Sequence, residues 1–431
     1  MKEIKNTLLS LSLSFLTYVS LIMSPTIGID TEGAVLDYSF LVNSWRRIDR
    51  EGLALLKDTF FPTYLQTQNN ILAIFALAVF ALLIIRVTKF DGWIVSLLVI
   101  ACPITYFQMY FQMQSFEVIL ASIITLLLVY ATVHSSSIFV ILTIVGVGFC
   151  IGVYQSIVDF YIGISALLLL LKGSAQLKDY LKLMIGLIGS LIVYWFLNNV
   201  INTSPKSSYL SINTFSRHSI FAFSILLLLL VIILALWLIG KINLHQSLTL
   251  YFFLASPFLT LSIIGALKYR ALFPALPMVI AVSGGYLYSK KKLPLRIVVV
   301  CVASFFLIIN VIYQVAEIRR FKIDRELAQA IINQIPSKEY RVQFIGKYSE
   351  GNTLPDKMRV EPAGTSFFGY EKSPDQGRSD NMLKLMNANF VTSTMEQNTD
   401  AVEKYKEVDY FNHNRKVYID DNEKVVVVKF K

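Results

Sequence analysis

Along most of this chain the apolar positions are not spaced to one face of a helix or strand. They run together. From Asn6 to Tyr313 long apolar stretches alternate with short polar breaks, the pattern of segments surrounded by lipid. A helix needs about 20 apolar residues, within a range of about 17–25, to cross the hydrocarbon core of a bilayer. About eleven stretches read as such spans: roughly 7–24, 70–87, 93–107, 116–133, 138–153, 156–171, 182–201, 219–239, 247–267, 271–288 and 296–314. The 93–107 stretch is short and contains Pro103, and only Tyr154-Gln155-Ser156 divides 138–153 from 156–171, so a re-entrant hairpin also fits there. Beyond Arg319 the pattern changes to that of a soluble domain. Residues 324–335 read as an amphipathic helix, 340–345 as a strand, and 379–387 and 400–408 as helices. Residues 416–419 and 423–430 flank Asp420-Asp421-Asn422 as a hairpin. The expected architecture is an α-helical polytopic membrane domain over 1–317, with a long first outer loop at 25–69, followed by a small α/β domain over 318–431.

Composition supports two solvents. Of 431 residues, 55% are hydrophobic and 16% charged, against about 25% charged in a soluble protein. The basic start at Met1–Lys5 leads into an apolar run with no small-residue cleavage pattern, so this run reads as the first span. Placing the amino terminus in the cytoplasm puts twelve Lys and Arg in the inner loops and eight in the outer loops before the tail, the expected bias. An odd number of spans then puts the tail outside, in the periplasm if the membrane is a bacterial inner membrane. The net charge of +10 is explained by these loops, so nucleic acid is not an expected partner. The three cysteines, Cys102, Cys150 and Cys301, lie in apolar runs, too scattered for a metal or redox motif. No phosphate-binding loop, dinucleotide fingerprint, HExxH or GxSxG occurs. The few ionisable residues inside the runs, Glu117 and Asp159, sit near outer ends, which argues against an ion-coupled transporter with midplane charges.

Candidate chemistry gathers in the first outer loop. Asp30 and Glu32 directly follow the first span. A carboxylate at the membrane surface suits a general base acting on a hydroxyl; a solvated turn explains the pair equally well. Trp45, Arg46, Arg47, Arg50 and Glu51 come next, in a segment whose Leu53, Leu55, Leu56, Phe60 and Phe61 would lay it on the bilayer. Arginines there match the oxygens of a lipid-linked phosphate. Lys268 and Arg270, basic residues at the outer end of a span, are candidates for the same role against snorkelling to headgroups. Tyr154 and Gln155 at an outer turn, with Asp159 one helical turn further on, would line an outer cavity, and Trp45 is a candidate for the same acceptor side. The tail has no evident catalytic group. Its Tyr370, Tyr410 and Phe411 suit sugar stacking, although aromatics of this kind more often form core.

Three features together resemble a family. These are Asp30-Thr31-Glu32 with Trp45-Arg46-Arg47 and Arg50-Glu51-Gly52, the 146–156 segment ending Tyr154-Gln155-Ser156, and the tail's Ile345-Gly346 and Gly364-Thr365-Ser366-Phe367-Phe368. They resemble the GT-C glycosyltransferases, and among these the serotype-converting O-antigen glucosyltransferases of phages and enterobacteria. The resemblance implies inverting transfer of a hexose, glucose, from a polyprenyl-phosphate sugar to lipopolysaccharide O-antigen at the outer face of the inner membrane. It implies that Asp30 or Glu32 is the base. An Asp-Asp pair seen in some relatives is missing from the first loop, which leaves the choice between the two open. A divalent cation, Mg or Mn, bridging carboxylate and phosphate is compatible with the sequence without being required. The alternatives are a flippase or transporter of a lipid-linked saccharide and a polysaccharide polymerase.

Overall fold

A computed structural model describes the chain except residues 1, 136–137, 174, 206–215, 264–268, 360, 372–373 and 412–414. It is mostly helical, with one small sheet near the carboxy terminus. Among the described residues six helices are long and apolar enough to cross a membrane: Gln66–Thr88, Ser115–His134, Leu177–Ile201, His218–Leu238, Leu244–Ile263 and Leu293–Ile332. A seventh span is available if Gly92–Ala101 and Pro103–Tyr110, bent by 51°, count as one. Pro103 explains that break, because its ring starts a new helix at N1 and cannot continue the old one. Ile138–Val153 and Ala275–Ser289 are apolar but shorter than a full span. The eleven expected stretches therefore resolve into fewer full-length helices. Three of these helices expose most of their apolar windows: only 22% of that of His218–Leu238 and 17% of those of Leu177–Ile201 and Leu293–Ile332 is buried inside the protein. Apolar surface on that scale is consistent with a surrounding lipid bilayer.

The chain divides into two compact units, residues 1–22 with 39–310 and residues 23–38 with 311–431. In the first, helices are tied by short polar contacts, as expected where apolar side chains gain nothing by leaving lipid. Ser10 meets Ser96 at 2.7 Å, Ser14 donates to the Ile74 carbonyl at 2.7 Å, and Thr132 meets Thr143 at 2.7 Å. Tyr18 donates to the Ile100 carbonyl at 2.8 Å. The amphipathic part of the first loop does not lie free on the bilayer. Its helix Glu51–Phe60 buries Leu53 and Ala54 completely, and Gly52 lies against the backbone of Phe149 and Gly152. Lys57 reaches into the bundle to pair with Glu117 at 2.5 Å, both side chains buried. Of the loop's apolar residues Phe60 is fully exposed.

The second unit holds a three-stranded sheet, β1 (Arg341–Ile345), β2 (Tyr418–Asp420) and β3 (Val425–Lys429), in the order β1-β3-β2. β2 and β3 form the expected antiparallel hairpin, and β1 adds in parallel with Arg341 opposite Val425. Val342, Phe344, Val426, Val428 and Phe430 turn one face of the sheet into a core with Phe367, Phe368, Leu327, Ile331 and, from the far end of the sequence, Ile29. The helix expected at 324–335 is not separate. It continues the last apolar stretch as one 40-residue helix, Leu293–Ile332. The reason is legible afterwards: neither Gly nor Pro occurs between Pro294 and Pro336, so nothing stops the helix where its surroundings change. The helix expected at 400–408 starts earlier, at Met395, because Thr394 and Gln397 form a reciprocal capping box.

The Gly52 contact yields a test. A Cβ at Gly52 would lie 2.6 Å from the Phe149 carbonyl oxygen and 2.8 Å from the Gly152 carbonyl carbon, backbone that cannot step aside. Gly52→Ala should destabilise the purified protein by about 1–3 kcal/mol. Gly33→Ala, at a site with nothing within 4 Å of the new Cβ, should stay within about 0.5 kcal/mol of wild type. Thermal unfolding in detergent compares the two; equal losses would show that the Gly52 helix is not packed this way.

Candidate acid–base site

The site is built at Gly28–Glu32, all within the second unit. Ile29 is driven into the tail core, and the Thr31 amide donates to the Gly28 carbonyl at 3.0 Å. The tight reversal between them puts Asp30 at φ 81°, in the left-handed region. Short polar residues such as Asp tolerate that region best after Gly. The helix Thr31–Leu36 starts immediately afterwards. Both carboxylates thereby face one guanidinium, that of Arg378. Its Nη2 donates to Asp30 Oδ1 at 2.5 Å, its Nη1 donates to Glu32 Oε1, and its Nε lies 3.8 Å from Glu371 Oε1. The Arg378 backbone amide donates to Glu371 Oε2 at 2.7 Å, and the guanidinium sits 5.8 Å from the centre of the Tyr370 ring.

The two acids differ in access. The Glu32 side chain is 0% exposed and that of Asp30 29%. Glu32 Oε2 and Thr31 Oγ1 are buried without a hydrogen-bond partner. Burial pushes the Glu32 carboxyl above the usual range, and the neighbouring Asp30 charge adds to this, while the Arg378 charge and hydrogen bond pull the other way without cancelling it. Burial disfavours the Arg378 cation, but Glu32 and Asp30 outweigh it and hold its pKa above the ordinary arginine value.

A second buried arginine seats this turn. Arg320 donates to the Ile27 carbonyl at 2.8 Å and pairs with Glu317 and, at 3.2 Å, with Asp324. Glu317 accepts the Gly364 amide at 3.0 Å, and Asp324 accepts the Ser366 hydroxyl at 2.5 Å and the Phe367 amide at 3.1 Å. The Gly364–Phe368 stretch, one of the features behind the family resemblance, is thus a clamp on the long helix.

The other expected site residues belong to the first unit, and most are committed to packing. Arg46 pairs with Asp58 and Glu51 and donates to Asn43 at 3.1 Å. Trp45 is buried and Arg47 is exposed. Gln155 accepts from Arg50 at 3.3 Å and donates to the carbonyls of Ile48 and Asp49, both at 3.1 Å. Tyr154 is buried under the Arg50 guanidinium, 4.8 Å from its ring centre. Asp159 does not extend a cavity from Gln155: it accepts the Thr260 hydroxyl at 2.7 Å and the Thr260 amide at 3.2 Å, fixing the start of Leu259–Ile263. Arg270 is buried, 3.5 Å above the Phe111 ring centre. Lys268 lies outside the described residues. Of the tail aromatics, Phe411 is core and Tyr410 lies under Lys429, while Tyr370 stands exposed beside Arg378.

Among the described residues no group of three or more His, Cys, Asp or Glu is arranged to hold a metal ion. Asp30, Glu32 and Glu371 do converge, but around a guanidinium, which already supplies the positive charge between them, so these residues do not fit a cation site. Sequence reasoning missed Arg378 and Glu371. One signal was present: Arg378 stands in the first turn of Gly377–Leu385, where the helix dipole opposes a cation, so a carboxylate partner from elsewhere was implied.

No family model, no curated protein and no solved structure matches the chain.

Asp380, on the same short helix as Arg378, supplies a pH test. Burial pushes its carboxyl up to about 7, with Glu371 adding, although the Gln376 side chain and Lys384 favour its charge. The folded protein therefore holds a proton there that the unfolded chain, with a carboxyl near about 3.9, releases. The stability contributed is present below about pH 4 and is lost as the pH rises through about 7. The melting temperature of wild type should fall over that window by more than that of Asp380→Asn; parallel curves would refute the buried protonated carboxyl.

Proposed function

We propose that the protein is a polytopic glycosyltransferase of GT-C type. In this reading it moves a hexose, glucose by the family resemblance, with inversion from a polyprenyl-phosphate sugar to a surface polysaccharide such as O-antigen. The reaction takes place at the outer face of a bacterial inner membrane, with the amino terminus cytoplasmic and the tail periplasmic. The observation that carries the reading is the paired carboxylate turn after the first apolar helix, with Asp30 partly exposed and its Oδ1 fixed by Arg378. Apolar helices facing lipid suit a donor delivered by the bilayer.

The chemistry is a single displacement. The acceptor hydroxyl oxygen bonds to the anomeric carbon, the bond from that carbon to the phosphate oxygen breaks, the hydroxyl proton passes to Asp30, and polyprenyl phosphate leaves. Asp30 is the base rather than Glu32, because a hydroxyl can reach a carboxylate that is partly open and cannot reach one that is fully buried. Among the expected phosphate ligands, Arg46 is held by Asp58 and Asn43, and Arg270 lies against Phe111. A flippase or polymerase reading has no feature of its own in its favour.

The test is transfer by purified protein, with polyprenyl-phosphate glucose as donor and O-antigen lipopolysaccharide as acceptor, followed as mass gained by the acceptor. Asp30→Asn should lower the rate by about 10²–10⁴-fold with an unchanged melting profile. Full activity in Asp30→Asn removes it from the mechanism. No transfer from any lipid-linked sugar, with translocation in vesicles instead, would replace the enzyme by a flippase.

A further inference from the structure

The proposed reaction leaves open what holds a base in a strained turn 348 residues away in sequence from its partner. We propose that Arg378 is the positioning residue of the Asp30–Glu32 pair, fixing Asp30 as the open carboxylate and Glu32 as its buried counterweight. This inference rests on the glycosyltransferase reading and deepens it.

The argument is geometric. Each guanidinium nitrogen faces its own carboxylate: Nη2 faces Asp30, Nη1 faces Glu32 and Nε faces Glu371. Only a planar fork of fixed donors can do this. A lysine ammonium is a point charge and meets one or two of the three. The fork is itself held, because the Arg378 amide is bound by Glu371 Oε2 at 2.7 Å, so that Glu371 grips both ends of the residue. Asp30, at φ 81°, has a left-handed backbone that residues other than glycine seldom adopt. Such strain persists where the surroundings over-determine it. Ile29 in the core, the Thr31–Gly28 hydrogen bond and the Arg378–Asp30 pair are those surroundings. Glu32 supplies the anchor. It is fully buried with one oxygen on Arg378 and the other unpartnered, so the guanidinium cannot slide towards Asp30 without stranding a buried carboxylate. Burial pushes the Glu32 carboxyl above the usual range, as fits the enclosed member of the pair.

The test uses full-length protein in detergent and two variants. Arg378→Lys keeps the charge and loses the fork. Arg378→Met with Glu32→Gln removes the guanidinium without leaving a buried charge, which keeps the fold testable if the single change fails. Both are read by transfer kinetics and by amide hydrogen exchange over 29–36. In Arg378→Lys, kcat should fall at least about 100-fold while the acceptor KM changes less than about threefold, and amide protection over 29–36 should drop in both variants. A purely structural role would lower the amount of active protein and leave kcat per folded molecule unchanged. Wild-type kcat in Arg378→Lys overturns the inference while the enzyme reading stands. Wild-type protection over 29–36 in both variants overturns it whether or not transfer is seen. If wild-type protein transfers no sugar, the activity reading fails on that result alone and takes the catalytic half of this inference with it. The exchange data then decide the remaining half.

Discussion

A fully buried guanidinium, Arg320, is the constraint on which the second unit depends. It lies on one face of the long helix between Glu317 and Asp324, at spacings of three and four residues. Charges in this setting are tolerated only when every partner is satisfied, since stripping one member from a buried pair costs about 3–5 kcal/mol. The two acids exceed the one cation, and the excess is met by backbone and hydroxyl donors from Gly364, Ser366 and Phe367. The remaining arginine donor goes to the Ile27 carbonyl. One side chain thus joins three segments that are remote in sequence: the turn after the first apolar helix, the long helix, and the Gly364–Phe368 stretch. The position of Asp30 follows, because Ile27 and Ile29 are fixed on either side of Gly28 before any catalytic demand is made.

How much of this was legible in the sequence differs by element. The long apolar helices and the separate carboxy-terminal unit followed from run length and charge density alone, because both are local. The β2–β3 hairpin was legible for the same reason: Tyr418-Ile419 and the run Val425–Val428 flank a stretch of turn residues. Lengths were not. Pro103 splits one expected span, and the absence of any breaker after Pro294 fuses two expected elements into Leu293–Ile332. The pairing of Asp30 and Glu32 with Arg378 spans more than 340 residues, and no pattern in one sequence reports a contact of that separation. The Asp-x-Glu spacing marked the carboxylates as interesting; only the fold supplied the charge that makes them a site.

The bundle's polar residues carry a related lesson. A charge in an apolar run is a reasonable pointer to function, and Asp159 was read that way, Glu117 being the other such charge. Both find partners that the same argument requires but cannot name. Lys57 arrives from the outer loop to meet Glu117, and Thr260 satisfies Asp159 with hydroxyl and amide together. Leaving such a group unpaired in a medium of low polarity costs more than a lost hydrogen bond, so pairing is the default. Gln155 follows suit, spending both ends of its amide on Arg50 and on two backbone carbonyls. Function is then better sought where pairing is incomplete.

The Asp30–Glu32 turn is one such place among the described residues, although buried Gln108 and Glu117 also keep side-chain atoms without hydrogen-bond partners. Three carboxylates share one guanidinium, one buried oxygen of Glu32 has no partner, and Asp30 keeps a route to solvent. A structural ion pair has no use for the surplus acid, since an isosteric amide at either position would satisfy Arg378 with less buried charge. The two acids sit in unequal surroundings, one 29% exposed and one fully buried, and burial pushes the Glu32 carboxyl above the usual range. An arrangement that keeps one carboxylate partly open on a guanidinium shared with a buried acid fits the proton transfer proposed for Asp30.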